Sequence, residues 1–165
     1  MSMERIVRHL MVTKWMVNRA FPRDTLTAID KAIKASETTH RGEIRFVVEG
    51  ALETAPLLRG QTARERAIDV FSQLRIWDTE RNNGVLIYLL LSDRDVEIVA
   101  DRGIDAMVSP REWERICRNM EGAFRQGDFE GGVIGGIREV TRHLAEHFPP
   151  IGTDRNELPD KPVVL

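Results

Sequence analysis

The chain has 165 residues, 24 Lys/Arg against 26 Asp/Glu for a net charge of −2, and a single cysteine. That length suits one domain with a substantial core. The charge balance gives no general case for nucleic acid as a partner, and one cysteine excludes an internal disulfide or a multi-cysteine metal site.

No apolar run approaches the roughly 20 residues of a membrane-spanning helix. The N-terminus also lacks the long apolar core and small-residue cleavage site of a secretory leader. A cytoplasmic location is expected, with the inner face of the membrane as a peripheral alternative. The charge is uneven: residues 1–23 hold five Lys/Arg (Arg5, Arg8, Lys14, Arg19, Arg23) against Glu4, a net of +4, which leaves −6 for the remainder.

Residues 3–18 have helical spacing, with Ile6/Val7, Leu10/Met11 and Met16/Val17 interleaved by Arg5, Arg8 and His9. Two readings fit: an amphipathic helix (1–20) packed on the domain, or a basic, Trp-bearing segment that meets an anionic membrane surface or a partner. Phe21-Pro22-Arg23-Asp24 opens a second helix, since proline and an acidic residue suit a first turn. Leu26, Ile29 and Ile33 line its inner face. Glu43–Glu49 alternates as a strand, with Ile44, Phe46 and Val48 on one side.

Residues 50–60 read as a loop. Thr62-Ala63-Arg64-Glu65 has the form of a capping box, followed by a stripe of Ala67, Val70, Phe71 and Leu74 and a helix end near Trp77. Asn83-Gly84 is a turn signal. Val85–Leu91 is then uncharged, with Tyr88 its only polar side chain, as expected of a central strand covered on both faces. Ser92–Arg94 breaks it, so Asp95–Ala100 should return as a hairpin partner nearer the sheet edge. Strand, helix, strand implies a right-handed crossover and a parallel first pair.

Asp101–Asp105 reads as a loop, and Ser109-Pro110-Arg111-Glu112 as a second capping box. Trp113, Ile116, Cys117, Met120 and Phe124 form the next stripe. Gly127 ends that helix and Asp128 caps the last one. Gly131, Gly132, Gly135 and Gly136 in its first half suggest a close approach to the sheet or a neighbouring helix. The domain is expected over 21–150, with 151–165 a flexible tail without a core. Together these elements predict a three-layer α/β/α sandwich: a small mixed sheet, an αβαββαα core and an added N-terminal helix.

With strands one and two parallel and strand three antiparallel, one sheet edge should gather His40, Glu43, Asp78, Glu80, Asn82, Asn83, Asp101, Arg102 and Asp105. Carboxylates, amide oxygens and carbonyls of this kind suit a hard cation such as Ca²⁺. Asp78, Asn82, Asn83, Asp101 and Asp105 are the candidate ligands, and no organic cofactor is indicated. Asp78, Asp101 and Arg102 are the candidates should a metal assist phosphoryl chemistry; a solvated rim of turn formers explains the same residues. The other edge, outside the carboxyl ends of the parallel strands, offers Glu49, Gly50, Ser92 and Asp93, a thinner group. Cys117 reads as core, His143 and His147 as a surface pair near a helix end, and His9 and His40 as isolated. Trp15, Trp77 and Trp113 read as core or cap packing.

Arg81-Asn82-Asn83-Gly84-Val85-Leu86-Ile87, the charged hairpin turn, Asp101-Arg102-Gly103-Ile104-Asp105, and Phe124-Arg125-Gln126-Gly127-Asp128-Phe129 occur in an order that resembles the TPM domain over about residues 24–147. That family includes thylakoid-lumen and bacterial proteins and a nematode receptor accessory protein. The resemblance implies an α/β/α sandwich. In some members it implies acid phosphatase activity or calcium beside an Asp-Asn-Gly turn, and in others an accessory role with protein partners in membrane complexes. The positions carried over are Asn82, Asn83, Gly84, Gly103 and Asp105. Asn82 stands where the family has Asp, removing a charge, and Asp101 stands at the first Gly of the later loop, supplying one. Without the family's usual leader and C-terminal membrane helix, a cytoplasmic variant acting as an accessory or binding protein is the expectation.

Overall fold

The structure, a computed structural model, describes residues 1–153 and 155–165. Its elements in chain order are α1 (Met3–Met11), α2 (Lys14–Ala20), α3 (Arg23–Ser36), β1 (Glu43–Glu49), α4 (Thr54–Leu58), α5 (Ala63–Gln73), β2 (Gly84–Leu90), β3 (Asp95–Ala100), α6 (Arg102–Asp105), α7 (Pro110–Arg125), α8 (Phe129–His147) and β4 (Val163–Val164). The strands lie in the order β3-β2-β1-β4. β1 and β2 are parallel, with Glu43 opposite Gly84 and Glu49 opposite Leu90. β3 returns antiparallel, with Ala100 opposite Val85.

Every residue of β2 is buried, as its uncharged run requires. Its side chains alternate between two cores. Val85, Ile87 and Leu89 join Ile44, Phe46 and Val48 under α3, α7 and α8, where they meet Ile29, Ile33, Ile116 and Val140. Leu86, Tyr88 and Leu90 join Val47 under α5, against Ala67, Val70 and Phe71. The result is the expected open α/β sandwich. Two of the helix glycines mark a close helix–helix approach: a β-carbon at Gly136 would collide with Met120, and one at Gly132 with Phe124.

Tyr88 places a hydroxyl in the α5-side core, and it donates to Glu49. Glu49 is itself buried and accepts from Arg66 of α5 at 2.8 Å and 3.0 Å. One buried carboxylate thus satisfies a phenol and a guanidinium, joining both parallel strands to the covering helix.

Several local expectations are corrected. The N-terminal segment is two helices, because Val12 and Thr13 are extended and the Thr13 hydroxyl accepts from Met16 N to start α2. The stretch 50–60 contains α4, and Asp101–Asp105 contains α6, capped by the Asp101 side chain. α5 ends at Gln73 because Arg75 takes φ 54° and Ile76 N turns back to Phe71 O. The Thr62–Glu65 capping box forms in full. At Ser109 only the hydroxyl half forms, since the Glu112 carboxylate is drawn to Arg115, Arg142 and His143 instead.

Of the segment after Pro150, expected to lack a core, residues 157–165 dock as a strap along β1. Leu158 is buried, and β4 pairs in parallel with β1, Val163 opposite Val47. The Glu43 carboxylate accepts from Glu157 N at 2.9 Å and Leu158 N at 3.3 Å, and Arg45 donates to Pro159 O at 2.6 Å. The sequence hid this because the holding groups are backbone atoms met across more than a hundred residues. At the same place one oxygen each of Glu37, Glu43 and Asp160 lies within 4.8 Å of the others. Glu37 Oε1 is buried without a donor. Burial, then repulsion from Glu43 and contact with Asp160, pushes Glu37 up to about 9. Burial, partly offset by the two strap N–H groups, pushes Glu43 up to about 7.

Two predictions follow from these packings. Arg66→Ala, which strands the Glu49 carboxylate, is expected to cost about 3 kcal/mol in urea unfolding, against about 1 kcal/mol for Tyr88→Phe. Folding raises Glu37 and Glu43 above the ordinary 4.5, so the folded chain holds more protons than the unfolded chain from about pH 4.5 upward. This contribution is therefore most favourable at the acid end, and it is lost progressively as pH rises through about 7 and 9. Glu37→Gln should gain stability relative to wild type progressively as pH rises from about 5 to about 8, with no such gain below about pH 4.5, read from paired unfolding curves.

Candidate functional site

The register of the strands brings distant residues to one rim. Glu43 N donates to Asn83 O at 3.3 Å, and Asp101 N donates to Gly84 O at 2.9 Å. The start of β1, the start of β2 and the end of β3 therefore meet, as the threading predicted. The turn is not made by Asn83-Gly84. Asn82 carries the positive φ, 52°, which a short amide side chain tolerates. Gly84 is required for a different reason: a β-carbon there would collide with the Ile76 carbonyl. Gly103 N donates to Asn82 O at 2.8 Å, and a β-carbon on Gly103 would sit 2.5 Å from the carbonyl oxygens of Arg81 and Asn82. The loop before β2 and helix α6 are thus packed backbone to backbone.

Among the described residues, two oxygens in this rim lack donors. Asn83 is fully buried; its Nδ2 donates to Arg41 O at 2.9 Å, while Oδ1 has no hydrogen-bond partner. Asp101 Oδ1 accepts from Arg102 N at 2.8 Å, while its buried Oδ2 has no partner. A buried acceptor without a donor is costly. Amide and carboxylate oxygens are among the ligand types that hard cations take.

Other predicted members are turned elsewhere. Asp78 is exposed and pairs with Arg75 at 2.8 Å. Asp105 accepts from Trp113 Nε1 at 3.1 Å. Arg102 is exposed at the start of α6, and the Glu43 carboxylate is held by the strap. His40 Nδ1 accepts from Gly42 N at 3.1 Å. The chemistry-bearing core of the rim is therefore Asn82, Asn83 and Asp101, backed by Gly103.

The opposite sheet edge, where the sequence offered Ser92 and Asp93 as a thinner group and left His9 isolated, holds a network that joins all three. His9 Nε2 lies 2.9 Å from Asp93 Oδ1, and Ser92 Oγ lies 3.0 Å from Nε2 and 3.2 Å from Nδ1. The same three residue types serve as a catalytic triad elsewhere, but here Leu52 N donates to His9 Nδ1 at 3.1 Å. That leaves the proton on Nε2, facing Asp93, and no free imidazole lone pair to activate Ser92. Arg5 adds two side-chain donors to Asp93, at 2.8 Å and 3.0 Å. Burial opposes ionisation of Asp93, but the hydrogen bonds from Arg5 and His9 outweigh it and hold the carboxyl below its ordinary value. The network fastens α1 to the hairpin. Helical spacing of Arg5 and His9 was its only sequence signal.

Cys117 is buried as expected, its thiol pushed up to about 12 by burial and nearby Glu97 and Glu121. His143 is not a surface residue: it is buried edge-on to Trp113, with Nε2 3.0 Å from Glu112. Trp15 and Trp77 are exposed, with Arg19 and Arg75 over their rings, whereas Trp113 is packed.

No curated protein matches the sequence. The structure is similar to the solution structure of the BA42 protein from the psychrophilic bacterium Bizionia argentinensis. The two share 33% identity and a TM-score of 0.75 over 86% of this chain and 92% of that one. The N-terminal domain of a protein from P. gingivalis shares the fold at 19% identity and TM-score 0.61, covering 79% of this chain and 82% of that one. The N-terminal domain of the cg2496 protein from Corynebacterium glutamicum does so at 12% identity and TM-score 0.56, covering 82% and 81%. The family model for the TPM domain matches residues 18–143, the stretch that contains the Asn82-Asn83-Gly84 turn, the Gly103 contact and both faces of the sandwich, and the chain belongs to the TPM domain family.

Proposed function

We propose that this TPM domain is an accessory or binding protein whose Asn82/Asp101 rim takes a divalent cation, with Ca²⁺ the best fit. The observation that carries the reading is the pair of buried oxygens without donors, Asn83 Oδ1 and Asp101 Oδ2, on two segments joined through Gly84. A bound cation supplies the positive partner those oxygens lack. Binding is favoured over hydrolysis because, among the described hydrogen bonds, the rim pairs no nucleophile with a base. A metal-assisted phosphatase would require Asp101 to hold its metal and water to be the nucleophile.

Calorimetric titration of Ca²⁺ and Mg²⁺ tests the reading. Wild type is expected to bind one Ca²⁺ more tightly than Mg²⁺, and Asp101→Ala should weaken binding by about tenfold or more. Gly103→Ala should weaken it too, by prising α6 from the Asn82 carbonyl. Absence of binding at millimolar metal would overturn the cation site. Hydrolysis of a generic phosphate ester, lost in Asp101→Ala and retained in Asp78→Ala, would replace the binding reading with the enzymatic one.

A further inference from the structure

Helix α1 is turned inside out relative to an ordinary surface helix. Its buried residue is His9, with Arg5 half-buried beside it, and both face Asp93. Of its apolar residues only Ile6 packs inward, against the α5-side core; the others face solvent, with Met3 73% exposed, Val7 46%, Leu10 69% and Met11 67%. Residues 3, 7, 10 and 11 form one stripe at helical spacing. Past the break at Thr13, Trp15 and Met16 of α2 extend it, while Val17 turns inward. Six large apolar side chains on two successive short helices are thus left exposed, the kind of surface that marks an interaction site.

The orientation is fixed from the inside. Arg5 and His9 bind Asp93, Arg5 also donates to Gln61 O at 2.7 Å, and Leu52 N donates to His9. Rolling α1 to hide its apolar stripe would break every one of these bonds and leave Asp93 unpaired in a site only 12% exposed. The stripe is therefore committed outward.

Charge identifies the occupant. Lys14, Arg19 and Arg23 are exposed around the patch, and the Arg19 guanidinium lies 5.2 Å above the ring of the exposed Trp15. Arg8 flanks the stripe at 47% side-chain exposure. The segment carries a net +4 on a chain whose remaining residues carry −6. Apolar side chains to insert, an exposed tryptophan and a basic border together match an anionic bilayer surface. A second copy of this chain would bring the same positive charge against itself.

We infer that α1 and α2 form a peripheral membrane-binding face, inserting Leu10, Met11 and Trp15 shallowly among anionic lipids while the sandwich stays in water. The test is co-sedimentation of the full chain with phosphatidylglycerol/phosphatidylcholine vesicles and with phosphatidylcholine vesicles alone. Binding to the anionic vesicles is expected to be at least about tenfold stronger and to weaken with salt. It should be accompanied by a blue shift of tryptophan emission that is absent in Trp15→Phe. Leu10→Ser/Met11→Ser and Lys14→Glu/Arg19→Glu alter only exposed side chains, so each should keep the wild-type melting temperature and lose binding. Equal binding by wild type and both double variants would overturn the inference. So would equal, negligible pelleting with both vesicle types. A dimer in sedimentation that Leu10→Ser/Met11→Ser dissolves, without vesicle binding, would assign the face to self-association instead.

Discussion

The parallel pairing of β1 with β2 is the constraint on which the molecule depends. Both strands are buried along their whole length, so helices must cover both faces of the sheet, and that requirement gives the three layers. The pairing also fixes where the ends of the strands lie. Glu43 opposite Gly84 puts the start of β1 beside the turn before β2, where Ala100 at the end of β3 also arrives opposite Val85; Glu49 opposite Leu90 puts the end of β1 beside the hairpin turn that receives α1. A slip of one residue would exchange the two cores and separate both edges from their partners.

The two edges solve opposite polar problems. At the α1 edge two buried carboxylates are fully engaged: Asp93 is met by Arg5 and His9, and Glu49 by Arg66 and Tyr88. These contacts are spent on holding elements together. At the Asn82 rim the backbone is tightly packed through Gly84 and Gly103, yet Asn83 and Asp101 retain buried oxygens without donors. The backbone is fixed here by folding, while the two oxygens are left without protein donors. The Glu37, Glu43 and Asp160 group is a third case, in which burial under the strap raises the Glu37 and Glu43 carboxyls toward their protonated forms.

The N-terminal helices show why burial cannot be inferred from amphipathicity alone. A helix with one apolar and one basic stripe is expected to hide the apolar one. Here ion pairing to Asp93 takes the polar stripe, and the apolar stripe remains outside. The preference reverses because the sheet edge that receives α1 presents a carboxylate rather than an apolar groove.

By itself the sequence determined the order of the main helices and strands, the two-sided burial of β2, the crossover and hairpin, and hence the convergence of Asn82, Asn83 and Asp101 on one rim. Those features follow from local signals: an uncharged run of strand length, a capping box at Thr62, helical stripes in α3, α5 and α7. The Asn-Asn-Gly motif carried the family as well. Only the tertiary structure decided that Asn82 and not Gly84 bears the positive φ, that Asp78 and Asp105 turn to Arg75 and Trp113, that residues 157–165 strap β1, and that α1 presents its apolar side to the surroundings. Each of these depends on a partner far away in the chain, often a backbone atom, and periodicity along a sequence carries no record of which surface an element will meet.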